Sequence, residues 1–308
     1  MSASAARVVC GPVTAYDEMG LFHENADEVG LPWTGPPAVE RRFVPVEGRR
    51  RVSALVWGSS APEVVLLHGG AQNAHTWDTV ALALAHPLVA IDLPGHGHSD
   101  WRDDHDYWPP ALADDVAVAI RVLAPDAAMV VGMSLGGLTA WCLAAQHPEL
   151  VRRLVVVDVT PGTDEVKAEP IRAFVSGPER FESFDEILAR TVQFNPTRSV
   201  SSLRRGVLHN ARELPDGGWT WRYDPMRNWS ESKGMPSFSP LWAAVDAVDA
   251  PLLLVRGGTS AVVGDEDVEE LLRRRPAATV VTVEGAGHSI QGDKPLELAR
   301  VLQDFLTA

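Results

Sequence analysis

The chain has 308 residues, long enough for one large α/β domain with an insertion or for two smaller domains. Its hydrophobic share of 45% and charged share of 22% are those of an ordinary globular protein, and a formal charge of -14 argues against a nucleic-acid or anionic-membrane surface, which needs clustered Lys and Arg. No stretch approaches the roughly 18 consecutive apolar residues of a membrane span, residues 1–10 lack an export signal, and Cys10 and Cys142 make no disulfide or ligand framework, so the expected location is cytoplasmic.

Residues 1–40 read as an irregular extension, punctuated by Gly11-Pro12, Leu31-Pro32 and Gly35-Pro36-Pro37. Tyr16, Leu21, Phe22 and Trp33 give it enough apolar surface to pack across the body. From Arg41 the pattern turns regular. Residues 41–46 and 50–57 form an expected antiparallel pair around Glu47-Gly48, and short apolar runs follow at 63–67, 88–91, 128–131 and 153–157. Helical stretches at 76–85, 111–123 and 138–146 alternate with them, the signature of a mostly parallel sheet with helices on both faces.

The alternation stops between residues 163 and 245. That insertion holds helical fragments at 184–191 and 201–209, and loops rich in Trp, Gly and Pro around Trp219, Trp221, Trp229 and Trp242. Buried-strand runs return at 251–256 and 279–283, with helices at 267–275 and 296–305. The organisation expected is an extension (1–40), a core (41–162 and 246–308) and a cap (163–245).

The chemistry centres on Gly132-Met133-Ser134-Leu135-Gly136. A Gly-x-Ser-x-Gly between an apolar run and a helix places a serine at the apex of a tight strand-to-helix turn, where side chains two residues to either side would collide. Ser134 is the candidate nucleophile. With His68-Gly69-Gly70 and Gly285-Ala286-Gly287-His288 in this order, residues 41–308 resemble the α/β-hydrolase superfamily with a cap domain inserted after the sixth strand. The resemblance implies a mostly parallel twisted sheet flanked by helices, an oxyanion hole from the backbone amides of Gly70 and Leu135, a general base at His288, and no cofactor. The other histidines read as bystanders: His86, His147 and His209 at helix ends or the surface, His105 in a charged loop.

The acid departs from the commonest pattern. Many relatives carry it after the seventh strand, yet residues 257–264 hold no carboxylate, and Asp265, Glu266 and Asp267 read as helix-capping acids. Asp158, ending the run at 154–157, is the alternative, and the order Ser134, Asp158, His288 is the hydrolase-fold order. Asp158 is assigned the orienting role, with Asp265 as fallback. Some superfamily members with the acid in this place open the macrolactone zearalenone. His96-Gly97-His98-Ser99-Asp100 has the outline of a zinc motif, but Trp101 stands where a further histidine is needed, so no metal is expected.

A serine rather than an aspartate nucleophile implies acyl transfer to water. The expected substrate is a small apolar ester or lactone, with Phe174, Phe181, Phe184, Phe194, Trp219 and Trp221 either roofing its pocket or forming the cap's own core. A carbon–carbon hydrolase of ring-cleavage products and a non-catalytic ligand sensor on the same fold remain open, as does a homo-oligomer.

Overall fold

A computed structural model of the chain describes residues 16–164, 166–225 and 237–308; Cys10, Gly11-Pro12 and Trp229 lie outside the described residues. Eight strands form one sheet: β1 (Val39–Pro45), β2 (Arg51–Trp57), β3 (Val64–Leu67), β4 (Leu88–Asp92), β5 (Met129–Met133), β6 (Leu154–Val157), β10 (Leu252–Gly257) and β11 (Thr279–Val283). Their order is β1-β2-β4-β3-β5-β6-β10-β11. Only the β1–β2 and β2–β4 pairs are antiparallel; the other five are parallel. The first hairpin turns at Glu47–Arg49, where Gly48 takes φ 75°.

The central strands are apolar throughout because both faces are covered. Alternation within β6 divides the two halves of the core: Leu154 and Val156 face one hydrophobic cluster, Val155 and Val157 the other. The first contains side chains of α3 (Pro109–Leu123) and α4 (Leu135–Gln146); the second contains Val80 and Leu84 of α2 (Asp78–Leu84), and Leu298 and Leu302 of the C-terminal helix Pro295–Thr307.

Two elements differ from the sequence reading. Part of the extension is helical: α1 (Phe22–Val29) buries Phe22 against Trp57, ring centroids 4.8 Å apart. Nothing in its side chains caps it, and Gly30 ends it in the left-handed region, so its ends carry a weak sequence signal. The insertion, read as helices and loops, also holds a small antiparallel sheet, β7-β9-β8, from β7 (Arg180–Phe181), β8 (Ala211–Glu213) and β9 (Trp219–Trp221). Strands this short are below the length at which alternation can be read.

Around that sheet stand α5 (Glu169–Val175), α6 (Phe184–Phe194) and α7 (Val200–Asn210), the last two capped by Ser183 and Ser199 accepting from the amides of Glu186 and Ser202. Phe181, Phe184 and Trp221 are buried in a cluster of the insertion's own, with Phe174 and Trp219 packed against it. By contrast Leu241 and Val245, inside the span read as cap, join the core cluster beside α4.

The N-terminal segment straps the insertion to the core. Phe22 enters the core, while Glu28 on the same helix pairs with buried Arg205 of α7. Glu18 accepts from Arg41 Nε at 3.0 Å and lies 3.2 Å from His75 Nε2, and Tyr16 Oη lies 2.7 Å from His209 Nδ1.

Candidate active site

The turn between β5 and α4 is set by close packing. A Cβ on Gly132 would lie 2.2 Å from Gly136 O, and one on Gly136 would lie 2.4 Å from Leu67 O, so neither position admits a side chain. Ser134 between them adopts φ 51° and ψ -119°, a backbone region costly for a non-glycine residue. Its half-buried side chain does not cap the helix it begins. The hydroxyl is thereby free of its own helix and stands at the carboxyl edge of the sheet.

Asp158 occupies the same edge one strand over, immediately after β6, also with positive φ (51°). Fully buried, its carboxylate needs partners to offset desolvation. It has three. Gly257 N donates to Oδ1 at 2.9 Å, while His288 Nδ1 at 2.8 Å and Ser260 Oγ at 2.5 Å both donate to Oδ2.

His288 reaches Asp158 because the loop after β11 presses onto β10: a Cβ on Gly257 would lie 2.3 Å from Gly287 O. With Nδ1 committed to the carboxylate, the imidazole keeps Nε2 for another partner, the tautomer a general base requires. Among the described residues neither Ser134 Oγ nor His288 Nε2 has a protein hydrogen-bond partner. The serine–histidine hydrogen bond of such sites commonly forms or tightens only when a reactant is present.

Gly70 and Leu135 are neighbours. A Cβ on Gly70 would lie 3.9 Å from Leu135 Cδ2. Leu135 opens α4, where a helix has no internal acceptor for its amide. The loop bearing Gly70 is held by His68, buried and neutral: Nδ1 donates to Gly69 O at 2.7 Å and Nε2 accepts from Leu93 N at 2.9 Å, while burial pushes its pKa down. The insertion reaches this loop too, Asn210 Nδ2 donating to Ala71 O at 2.7 Å.

The fallback acid lies elsewhere. Asp265 is exposed at the start of the helix Asp265–Arg274 and pairs with Arg256 at 2.6 Å. Asp267 is buried and accepts from Gly264 N and Lys167 Nζ at 2.8 and 2.6 Å, a helix-start acid. The His96–Asp100 stretch is a loop laced to β2 and β4, with Ser99 Oγ donating to Asp92 O and Asp100 accepting from Arg51 N.

Sequence reasoning missed three participants. Ser260 touches Asp158. Gln72 links the loop after β3 to the segment after His288, accepting from Gly69 N at 3.2 Å and donating to Ser289 Oγ at 3.4 Å. His209, read as a helix-end or surface residue, ends α7 but is buried in a cluster with His75 and Asp78 whose ligand-type atoms lie within 4.8 Å of one another. That cluster is built as an ionic bolt. Burial disfavours charge on His75, but Asp78 at 2.9 Å and Glu18 at 3.2 Å raise its pKa to about 9. Its ring stacks on His209 at 3.7 Å, and since lone pairs lie in the ring planes, stacked imidazoles do not converge on one ion. Burial and the adjacent His75 cation keep His209 neutral.

Comparison with known proteins identifies the family. The alpha/beta hydrolase family profile matches residues 64–301. The esterase Rv0045c of Mycobacterium tuberculosis is 48% identical over 302 residues, covering 96% of this chain and 97% of its own, and a solved structure of it superposes with a TM-score of 0.84 at 47% identity over 96% of this chain and all of that one. The 3-hydroxybutyrate-oligomer hydrolase of Cupriavidus necator is 30% identical across 85% of this chain and 94% of its own. The structure of an E-2-(acetamidomethylene)succinate hydrolase matches with a TM-score of 0.76 at 26% identity, covering 88% of this chain and all of that one. This chain belongs to the alpha/beta hydrolase family.

Proposed function

We propose that the protein is a serine hydrolase of carboxylic esters working through an acyl-enzyme on Ser134. The carrying observation is the 2.8 Å contact of His288 Nδ1 with buried Asp158 at the sheet edge where Ser134 sits in its strained turn. The 48%-identical relative named an esterase supports the same class.

In this reading Ser134 Oγ bonds to the ester carbonyl carbon as its proton passes to His288 Nε2, and the amides of Gly70 and Leu135 receive the negative charge on the carbonyl oxygen. The C–O bond to the alcohol breaks, and the alcohol leaves with that proton. Water then attacks the acyl carbon, gives its proton to His288, and the acid departs as Ser134 regains its hydrogen. Asp158 keeps the imidazole in the Nδ1–H tautomer throughout. No cofactor takes part.

Lactones fall within the proposed class, since ring opening uses the same steps. A zearalenone-type macrolactone is the narrowest version, resting on the acid's position after β6. The sensor alternative drew its force from the loop after β10 lacking a carboxylate, and Asp158 in contact with His288 removes that argument. A panel of short aryl esters, lactones and a vinylogous diketone, with Ser134→Ala as control, tests the reading: ester or lactone turnover lost in the variant supports it, and turnover of the diketone alone would replace it with carbon–carbon hydrolysis.

A further inference from the structure

We propose that Ser260 is a positioning residue for Asp158, sharing the oxygen that faces His288 and fixing the plane of the carboxylate; this rests on the ester-hydrolase reading above. Ser260 lies on the loop after β10, which no motif marks. Its hydroxyl is placed by a donor and an acceptor at once: Val262 N donates to Oγ at 3.1 Å, and Oγ donates to Asp158 Oδ2 at 2.5 Å. The incoming amide directs the hydroxyl proton to the carboxylate, so the contact has one sense.

The need for such a partner follows from where Asp158 sits. Its backbone is at positive φ, its side chain is wholly buried, and among the described residues Oδ1 has a single donor, Gly257 N. Two donors from different loops, His288 and Ser260, meet on Oδ2. Without Ser260 the carboxylate plane is held by one amide and by the imidazole it is meant to orient. With it, the oxygen facing His288 is fixed before the imidazole moves, which is the work of a supporting hydrogen bond around a catalytic pair.

The distances also predict that the acid can be relocated. A serine Oγ corresponds to the carboxyl carbon of an aspartate at the same position, and a carboxyl oxygen extends about 1.2 Å further. From position 260 that reach covers about half of the 2.5 Å to the site of Oδ2 once Asp158 is truncated.

The test is steady-state kinetics on a short aryl ester across pH, for wild type, Ser260→Ala, Ser260→Thr and Ser134→Ala. Ser260→Ala should lower kcat roughly tenfold, with KM little changed, and shift the acid limb of the kcat/KM profile, the loss expected for one charge-assisted hydrogen bond. Ser260→Thr keeps the hydroxyl and should stay within about threefold of wild type. An unmoved kcat and pH profile in Ser260→Ala, beside an inactive Ser134→Ala, would overturn the role of Ser260 and leave the ester reading standing; turnover by Ser134→Ala would overturn both. As a second variant, adding Ser260→Asp to Asp158→Ala should recover at least about tenfold of the lost kcat. No recovery in a double variant with wild-type circular dichroism would contradict the placement of Ser260 beside the shared oxygen.

Discussion

His288 and Asp158 come from loops after β11 and β6, strands separated by β10, and meet at 2.8 Å between Nδ1 and Oδ2. The contact is possible because β10 ends in glycine against the Gly287 backbone, letting the histidine loop fold over the neighbouring strand.

The acid's identity gives the first prediction. Asp158→Asn keeps shape but turns an acceptor oxygen into a donor or leaves His288 in the wrong tautomer, and kcat should fall by roughly a thousand- to ten-thousand-fold with the fold intact. Asp265→Asn should stay within about twofold, because that side chain is exposed and paired with Arg256. Kinetics and thermal melts of both variants decide between them.

The serine turn gives the second. In Gly136→Ala the new methyl meets Leu67 O at 2.4 Å, backbone that cannot swing aside. Stability should fall by about 2 kcal/mol or more and activity with it, readable as a lowered urea midpoint.

A third concerns the strap. Phe22 is 2% exposed and lies in the core beside Trp57 and Trp77. Phe22→Ala should cost about 3 kcal/mol and raise amide exchange in both α1 and α7, since Glu28 and Arg205 lose their fixed register. Faster exchange in α1 alone would show that the insertion does not depend on the strap.

How much of this was legible in the sequence depends on distance along the chain. Ser134, His288 and Asp158 are each marked locally, by Gly-x-Ser-x-Gly, by Gly-Ala-Gly-His and by a carboxylate ending an apolar strand, and the succession of strands and helices along the core follows from alternation. Ser260 carried no local mark: a serine after two glycines and a threonine is an ordinary turn residue until Asp158, far away in sequence, is placed against it. His209 stands at a helix end as its sequence position suggests, but its burial is not legible there because the partners that bury it, Tyr16 and His75, come from other parts of the chain. The strands β7, β8 and β9 were hidden by being two or three residues long.

The His75 cluster yields a pH prediction. An unfolded histidine titrates near about 6.5. In the folded protein Asp78 and Glu18, acting against burial, raise His75 to about 9. The folded state therefore holds a proton that the unfolded state has lost between these values, so the stabilisation is complete below about pH 6.5 and gone once pH passes about 9, at most about 3 kcal/mol in all. The urea midpoint should fall across that window, and His75→Gln should be less stable at pH 6 and show a flatter profile. A parallel profile in the variant would contradict the assignment.

The claim on which the rest depends is that the Ser134 hydroxyl is the nucleophile. Intact-mass and peptide analysis after reaction with a fluorophosphonate tests it most directly: the account predicts one adduct, on the peptide bearing Ser134, formed in step with loss of ester turnover and absent from Ser134→Ala. An adduct on another residue, or ester turnover that persists in fully labelled protein, would contradict it.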